Sequence, residues 1–156
     1  MYEHILIPLD GSRFAEIALP HALEMATKFE SRLTLVRVVT PPNVITEDMV
    51  DGTGELVIQI EEAWRDEAEE YLSAQAGSLR QQGFTVKTDV RLSADIAGAI
   101  IDACQAHDTD VIIMSTHGRS GLGRWLFGSV AQKVLQHAPV HTLLIRAKDT
   151  ESQTGI

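Results

Sequence analysis

The residues best suited to bind a ligand lie in one glycine-rich stretch, residues 115–129. Four glycines fall within the eleven residues from Gly118 to Gly128, and glycine lets the backbone turn its amides toward a ligand at close range. Ser129 and Gln132 have the spacing of a capping box, which predicts that a helix begins here. Because a helix N-terminus offers unpaired amides and a partial positive charge, the stretch predicts a phosphate site.

Arg119 and Arg124 add positive charge to the same stretch. An alternative interpretation involves no ligand: the glycines only shape a tight connection, and Ser129 only caps the helix. The better-known phosphate motifs do not fit. Glycine spacing from Gly118 matches a P-loop, but Arg124 and Trp125 stand where that loop needs lysine and a hydroxyl residue. The dinucleotide fingerprint and the Gly-x-Ser-x-Gly elbow are also missing.

Strands that alternate with helices must position this stretch. Continuous apolar runs predict strands at residues 5–9, 33–39, 110–114 and 140–145, and an alternating run at 84–90 predicts an edge strand with one wet face. Apolar residues at a three-four spacing predict the intervening helices, through residues 15–26, 55–82, 97–104 and 129–137. The pattern predicts an α/β fold with one doubly wound parallel five-stranded sheet, order 3-2-1-4-5, and helices on both faces.

Some features of the helices are specific enough to test. Pro20 lies inside the first predicted helix and should bend it, because proline removes a backbone donor. Gly83 is expected to terminate the long helix. The glutamate pairs of that helix, at 61–62 and 69–70, are interpreted as a solvated face. Its inner stripe is predicted to be Ile60, Trp64, Ala68, Tyr71 or Leu72, and Leu79.

The predicted sheet topology points to residues 115–129 independently of any sequence motif. In an open parallel sheet, ligands bind beyond the carboxyl ends of the strands, where the winding reverses. The first and fourth predicted strands have the most buried character, so the crevice is expected between Asp10 and Ser115. Residues 43–54 are expected to form a mobile loop, and the polar residues 149–156 a disordered tail.

The composition of the chain limits the classes of partner that it is expected to bind. With 22 acidic and 13 basic residues the formal charge is −9, which disfavours nucleic acid and anionic membranes as partners. No run approaches the roughly 18 apolar residues of a membrane span. The first residues do not resemble a secretory signal, and the single cysteine, Cys104, cannot form an internal disulfide. A cytoplasmic location is therefore expected.

A family resemblance covers residues 2–148. The chain resembles the universal stress proteins in residues 7–12, in residues 35–39, and most of all in residues 114–139. The ATP-binding branch of that family has a glycine, two residues, a second glycine, nine residues, and then Gly-Ser or Gly-Thr. Here Gly118, nine intervening residues and Gly128-Ser129 match, whereas Ser115 replaces the first glycine. The resemblance implies a single domain at residues 1–148 with a Rossmann-like fold of the adenine nucleotide alpha hydrolase type.

The resemblance also implies how ATP would bind. The main chain of Val38 is expected to meet adenine, with Pro8 and Leu9 beside it, and Asp10 to accept from a ribose hydroxyl or to hold a metal through water. Mg²⁺ is expected to be held mainly by the phosphates, with no protein metal site. His117 and Arg119 are also expected to belong to the nucleotide-binding residues, although His117 has no second metal ligand at useful spacing and can instead be interpreted as a structural residue. Met114, Ser115 and Gly118 are expected to line the sugar and α-phosphate, and Gly128, Ser129 and Val130 to hold the β- and γ-phosphates.

The function implied is an ATP-dependent switch or docking module of the stress response, with an unknown protein partner. In the family the fifth strand pairs with its copy, which implies a homodimer through residues 140–146. Two alternatives stay open. One is a nucleotide-free dimeric adaptor; the other is an ATP hydrolase. Since no clear base faces Arg119 or Arg124, turnover is expected to be absent or slower than roughly 1 per second.

Overall fold

The computed structural model describes residues 1–41, 53–116 and 128–146. It contains a five-stranded sheet in the order β3-β2-β1-β4-β5, with every pair of neighbouring strands parallel. The predicted fold and strand order are confirmed. In chain order the elements are β1 His4–Pro8, α1 Arg13–Glu16, α2 Ala18–Phe29, β2 Arg32–Val39, α3 Thr53–Gln81, β3 Val86–Leu92, α4 Ile96–Ala106, β4 Val111–Thr116, α5 Ser129–His137 and β5 His141–Arg146.

The core forms two layers, one on each face of the sheet. On one face, Ile5 and Ile7 of β1 pack with the buried residues of α2 and α3. On the other face, Leu6 of β1 packs with Ile112 of β4 and the buried residues of α4 and α5. Alternate residues of β1 therefore contribute to different layers, and the strand is apolar from Ile5 to Pro8 because both of its faces are covered.

The first predicted helix is two helices. The break falls at Ile17, between α1 and α2, and Pro20 is the third residue of α2. Proline has no N–H to donate to the carbonyl four residues earlier, here that of Glu16. The predicted bend is therefore a break located one turn before the proline.

Glycine and phenylalanine end α3 in a Schellman motif. The Gly83 amide donates to the Arg80 carbonyl (3.0 Å) and the Phe84 amide to the Leu79 carbonyl (3.2 Å). Gly83 has φ +94, a conformation that suits glycine. The predicted terminator is confirmed, and the motif explains why β3 begins at Val86 and not at residue 84: the Phe84 amide is used to close the helix.

One residue of the predicted α3 stripe was wrong. Ala68, Leu72 and Leu79 are buried as expected, but the Trp64 side chain is 41% exposed. A helix of 29 residues is roughly 43 Å long, whereas β3 has seven residues and spans about 23 Å. The N-terminal half of α3 therefore extends past the strand on which it packs. No helix in the described ranges is long and apolar enough to cross a membrane.

A buried histidine lies at the N-terminal end of β1. The His4 Nε2 is 2.7 Å from Thr34 Oγ1, and Nδ1 has no hydrogen-bond partner in the described part of the chain. Burial lowers the pKa of His4 from its ordinary 6.5, and the nearby charges of Arg32, His107 and Lys87 lower it further. The fold therefore holds His4 in the neutral form.

Stability should fall as the pH drops below about 6.5, because the unfolded chain then binds a proton on His4 that the folded chain resists. The contribution is fully present above the unfolded pKa and is lost on acidification. Urea unfolding at pH 7.5 and 5.5 measures it. The variant His4→Gln should lose less stability between the two pH values than the unmodified chain; an equal loss in both would contradict the assignment.

Candidate functional site

A cavity of about 320 Å³ opens beyond the carboxyl ends of β1 and β4. These two strands pair with each other at the centre of the sheet, and their following helices, α1 and α5, lie on opposite faces. That reversal of winding leaves the crevice that topology predicts. The volume is at the low end of the range of about 300–1,000 Å³ typical of small-molecule sites. Its lining residues are Pro8, Leu9, Asp10, Ala15, Val36, Val38, Ile96, Ile100, Met114, Ser115, Thr116, Gly128, Ser129, Val130 and Ala131.

The structure brings nine of the twelve predicted site residues together on this lining. The other three, His117, Gly118 and Arg119, lie outside the described residues. The nine are Pro8, Leu9, Asp10, Val38, Met114, Ser115, Gly128, Ser129 and Val130.

One side of the cavity is apolar. Val36 and Val38 of β2 contribute to it, together with Met114 of β4 and two isoleucines of α4, Ile96 and Ile100. The sequence prediction did not include the isoleucines, although their position at the start of a helix beside the central strands was a usable signal. A wall of this kind is suited to a flat, weakly polar ring system.

The start of α5 supplies a polar part of the lining through its backbone and Ser129. Gly128 is the N-cap residue, with φ −58 and ψ 153, and no side chain caps the helix. The predicted capping box was therefore wrong: Ser129 is the first helical residue, and the Gln132 amide donates to the Gly128 carbonyl (2.9 Å). Both glycine and serine are acceptable N-caps, and the boundary is shifted by one residue. As a result, the first residues of α5 line the cavity, and no side-chain oxygen of the described residues caps their amides.

The connection after β1 is held in a fixed shape. Asp10 Oδ1 accepts from the Ser12 amide (2.8 Å), and Ser12 Oγ accepts from the Ala15 amide (3.2 Å). Ser12 is thus the cap of α1, and Asp10 stabilises the turn before it. Gly11 has φ +87, and the Arg37 guanidinium lies 3.5 Å from the point where a Cβ would be. Asp10 is therefore an exposed carboxylate on a rigid turn at the rim of the cavity.

Thr116 is a polar residue that the sequence prediction missed. It ends β4, it is buried, and its Oγ1 has no hydrogen-bond partner in the described part of the chain. Leaving a buried hydroxyl unpaired costs about 1–3 kcal/mol, so the position favours a polar group in the cavity. The sequence signal was its position: Ile112, Met114 and Thr116 are every second residue of β4 and therefore lie on the same face of the sheet.

An ion pair joins the two helices beside the cavity. Lys133 Nζ of α5 lies 3.0 Å from both carboxylate oxygens of Asp95. Asp95 also caps α4 by accepting from the Gly98 amide (3.0 Å). The Gly98 amide, and then Lys133, lower the pKa of Asp95 below its ordinary value. The cavity is thus bounded by two helix N-termini, of which α4 is capped and α5 is not.

The described residues contain no group of three or more histidine, cysteine, aspartate or glutamate side chains that could hold a metal ion. Asp10 is the only carboxylate on the cavity lining among them. A divalent cation in this cavity would therefore need a ligand molecule to supply most of its oxygens.

Comparison with known proteins gives one family. The model of the universal stress protein family matches residues 1–146. Universal stress protein MJ0531 of Methanocaldococcus jannaschii is 29% identical over 151 residues, which cover 97% of this chain and 86% of that protein. The putative universal stress protein SH1215 of Staphylococcus haemolyticus is also 29% identical, over 95% of this chain and 87% of its own length.

Solved structures agree with the fold. The hypothetical protein MJ0577, described as a test case of structural genomics, superposes with a TM-score of 0.78 at 27% identity, covering 96% of this chain and 99% of its own. Universal stress protein UspA from Lactobacillus plantarum superposes with a TM-score of 0.76 at 23% identity, covering 93% of this chain and 98% of its own. With its sheet order, its crevice and a family match from end to end of the described residues, the chain belongs to the universal stress protein family.

Proposed function

We propose that the chain binds ATP in the cavity between β1 and β4 and acts as a nucleotide-dependent switch or docking module in the stress response. The observation that carries the proposal is the uncapped N-terminus of α5, whose first residues, Ser129, Val130 and Ala131, line the cavity. Amides that no described side chain caps, at the positive end of a helix dipole, are suited to phosphate oxygens.

The remaining walls fit the other parts of a nucleotide. The apolar side, with Val38 and Met114, would receive adenine. Asp10 would accept from a ribose hydroxyl or hold a metal through water. The Thr116 hydroxyl, which has no hydrogen-bond partner among the described residues, would gain one from the sugar or the α-phosphate. One structural neighbour is a universal stress protein in complex with cAMP, but at 18% identity that likeness supports the fold alone.

Charge determines how a triphosphate would be held. The formal charge of −9 opposes a polyanion at long range, so local donors must supply the attraction. With Asp10 as the only described carboxylate on the lining, Mg²⁺ would be bound mainly by the phosphates themselves. Removing Mg²⁺ should therefore weaken ATP binding without unfolding the chain.

A switch needs a conformational consequence of binding. ATP in this cavity would connect the segments that follow β1, β2 and β4, and it would shift the protein between conformations by its difference in affinity for them. The outer edge of β5, which no other described strand pairs with and where Leu143 is 38% exposed, is the proposed site of pairing with a second copy, since an uncovered apolar edge promotes association. Light scattering should then give about twice the mass of 17.1 kDa.

Isothermal titration with ATP and Mg²⁺ tests the binding. We expect a dissociation constant in the micromolar range, corresponding to about −8 kcal/mol. The Gly128→Val variant locates the site, because it adds bulk at the N-cap of α5. A flat titration of the unmodified, folded protein would contradict ATP binding and favour a nucleotide-free adaptor.

A further inference from the structure

The outer edge of β3 is open in the described part of the chain. β3 lies at one end of the sheet and pairs there only with β2. The Ser93 amide, just after β3, donates to the Val39 carbonyl of β2 (3.0 Å). Backbone groups alternate in direction along a strand, so the odd-numbered residues of β3 direct their N–H and C=O groups toward β2. The even-numbered residues, including Thr88 and Val90, therefore direct their N–H and C=O groups outward.

An arginine fixes where the open edge begins. Arg80, from the last turn of α3, donates through Nε (3.1 Å) and Nη2 (2.7 Å) to the Val86 carbonyl. Val86 is the first even-numbered residue of the strand, so its outward carbonyl is already satisfied. The outward N–H and C=O groups that have no described partner are therefore those of Thr88 and Val90. A short peptide strand is long enough to pair with them.

A groove runs beside this edge. It has a volume of about 510 Å³, lies between α3 and β3, and is open to solvent on one side. The side chains of Thr88 and Val90 form its floor. Its wall on α3 is acidic and hydroxylic, consisting of Asp66, Glu69, Glu70 and Ser73. No described basic residue forms an ion pair with these three carboxylates.

We propose that an extended segment of a partner protein, with lysine or arginine at alternate positions, adds to β3 as a sixth strand. Its backbone would pair with Thr88 and Val90, since strand addition uses the main-chain groups of an exposed edge. Because side chains alternate along a strand, every second residue would point into the groove. Basic residues at those positions would meet the three carboxylates of α3, and this charge complementarity selects the partner.

The other face of β3 does not compete for the partner. Asp89 forms an ion pair with Arg91 (2.8 Å), and its Oδ2 also lies 2.9 Å from His107 Nε2. Asp89 and Arg91, two of the charged residues that can protect an edge strand, are thus paired with each other on the α4 side of β3, and Lys87 lies on that side too. The groove face retains only its acidic wall.

A second copy of the chain is not the proposed occupant. Pairing of two β3 edges would bring two acidic walls together, and each copy already has a formal charge of −9. Like charges across an interface suppress such pairing. The proposal is also independent of nucleotide binding, because the groove and the cavity share no lining residue.

Two synthetic peptides test the proposal, one alternating lysine with threonine and the other alternating glutamate with threonine. Fluorescence anisotropy should show that the full chain binds the lysine peptide and not the glutamate peptide. The double variant Glu69→Lys, Glu70→Lys should weaken binding about tenfold or more. A matched control, Glu3→Lys with Glu24→Lys, makes the same charge change at exposed positions outside the groove and should leave binding within about twofold.

Amide exchange distinguishes strand addition from simple charge attraction. In the free chain the outward amides of Thr88 and Val90 should exchange quickly, and the lysine peptide should slow them. The Asp89 amide, which faces β2, is the internal control and should be protected throughout. Equal binding of the two peptides, normal binding by the Glu69/Glu70 variant, unchanged exchange at Thr88 and Val90, or protection of both amides before peptide is added would each overturn the proposal.

Discussion

Replacing Gly128 by valine should lower ATP affinity by about 100-fold or more and leave the free energy of unfolding almost unchanged. The backbone at Gly128 is extended, with φ −58 and ψ 153, a conformation that valine adopts readily. A Cβ added there meets no atom of the described residues within 4 Å, so these residues leave room for the side chain. That room is the space through which phosphate oxygens would reach the amides of Ser129 and Val130.

The Gly128→Val variant is a clear test because it should change ATP affinity without changing the free energy of unfolding. Isothermal titration with ATP and Mg²⁺ measures the first effect, and urea unfolding without nucleotide measures the second. Gly77→Ala is the matched control: this glycine lies within α3, away from the cavity, and its added Cβ also meets nothing within 4 Å. It should bind ATP normally and be slightly more stable, because alanine favours a helix. Normal ATP binding by Gly128→Val would show that phosphates do not approach the start of α5.

The strand order and the position of the crevice could be predicted from the sequence because both follow from patterns that extend over many residues. The apolar runs of β1 and β4 indicate strands covered on both faces, and right-handed crossovers leave few ways to arrange five parallel strands. Once β1 and β4 are central, their carboxyl ends must meet, which places Asp10 near Ser115. No single residue decides these conclusions, so local errors did not change them.

Boundaries could not be predicted in the same way because one hydrogen bond decides each of them. Whether Gly128 or Ser129 caps α5 depends on which residue first adopts helical angles, and both residue types are acceptable there. The start of β3 depends on the Phe84 amide, which could have joined the sheet but instead bonds to Leu79. Thr116 was missed because its alternation with Ile112 and Met114 indicates only the face on which it lies, and not that its hydroxyl lacks a hydrogen-bond partner among the described residues.

The error at Trp64 has a different cause. A three-four spacing continues along α3 whether or not a neighbouring element covers it, so periodicity cannot show where the sheet ends. Trp64 lies on the part of the helix that extends past the strand, where it is 41% exposed, whereas Leu72, two turns later, is fully buried. Trp64 and Leu72 belong to the same apolar stripe of the sequence, but they should contribute unequally to the free energy of unfolding.

Leu72→Ala should accordingly lower the free energy of unfolding by about 2–5 kcal/mol, because it removes buried methyl groups and leaves a cavity between α3 and the sheet. Trp64→Ala removes a larger side chain but should cost less, about 1–2 kcal/mol, since 41% of the residue is already exposed and water can enter the space that the indole leaves. Urea unfolding of both variants at pH 7.5 measures the difference. Equal destabilisation would mean that another surface covers Trp64 in solution, and the smaller value expected here would confirm that α3 stabilises the sheet chiefly through its C-terminal half.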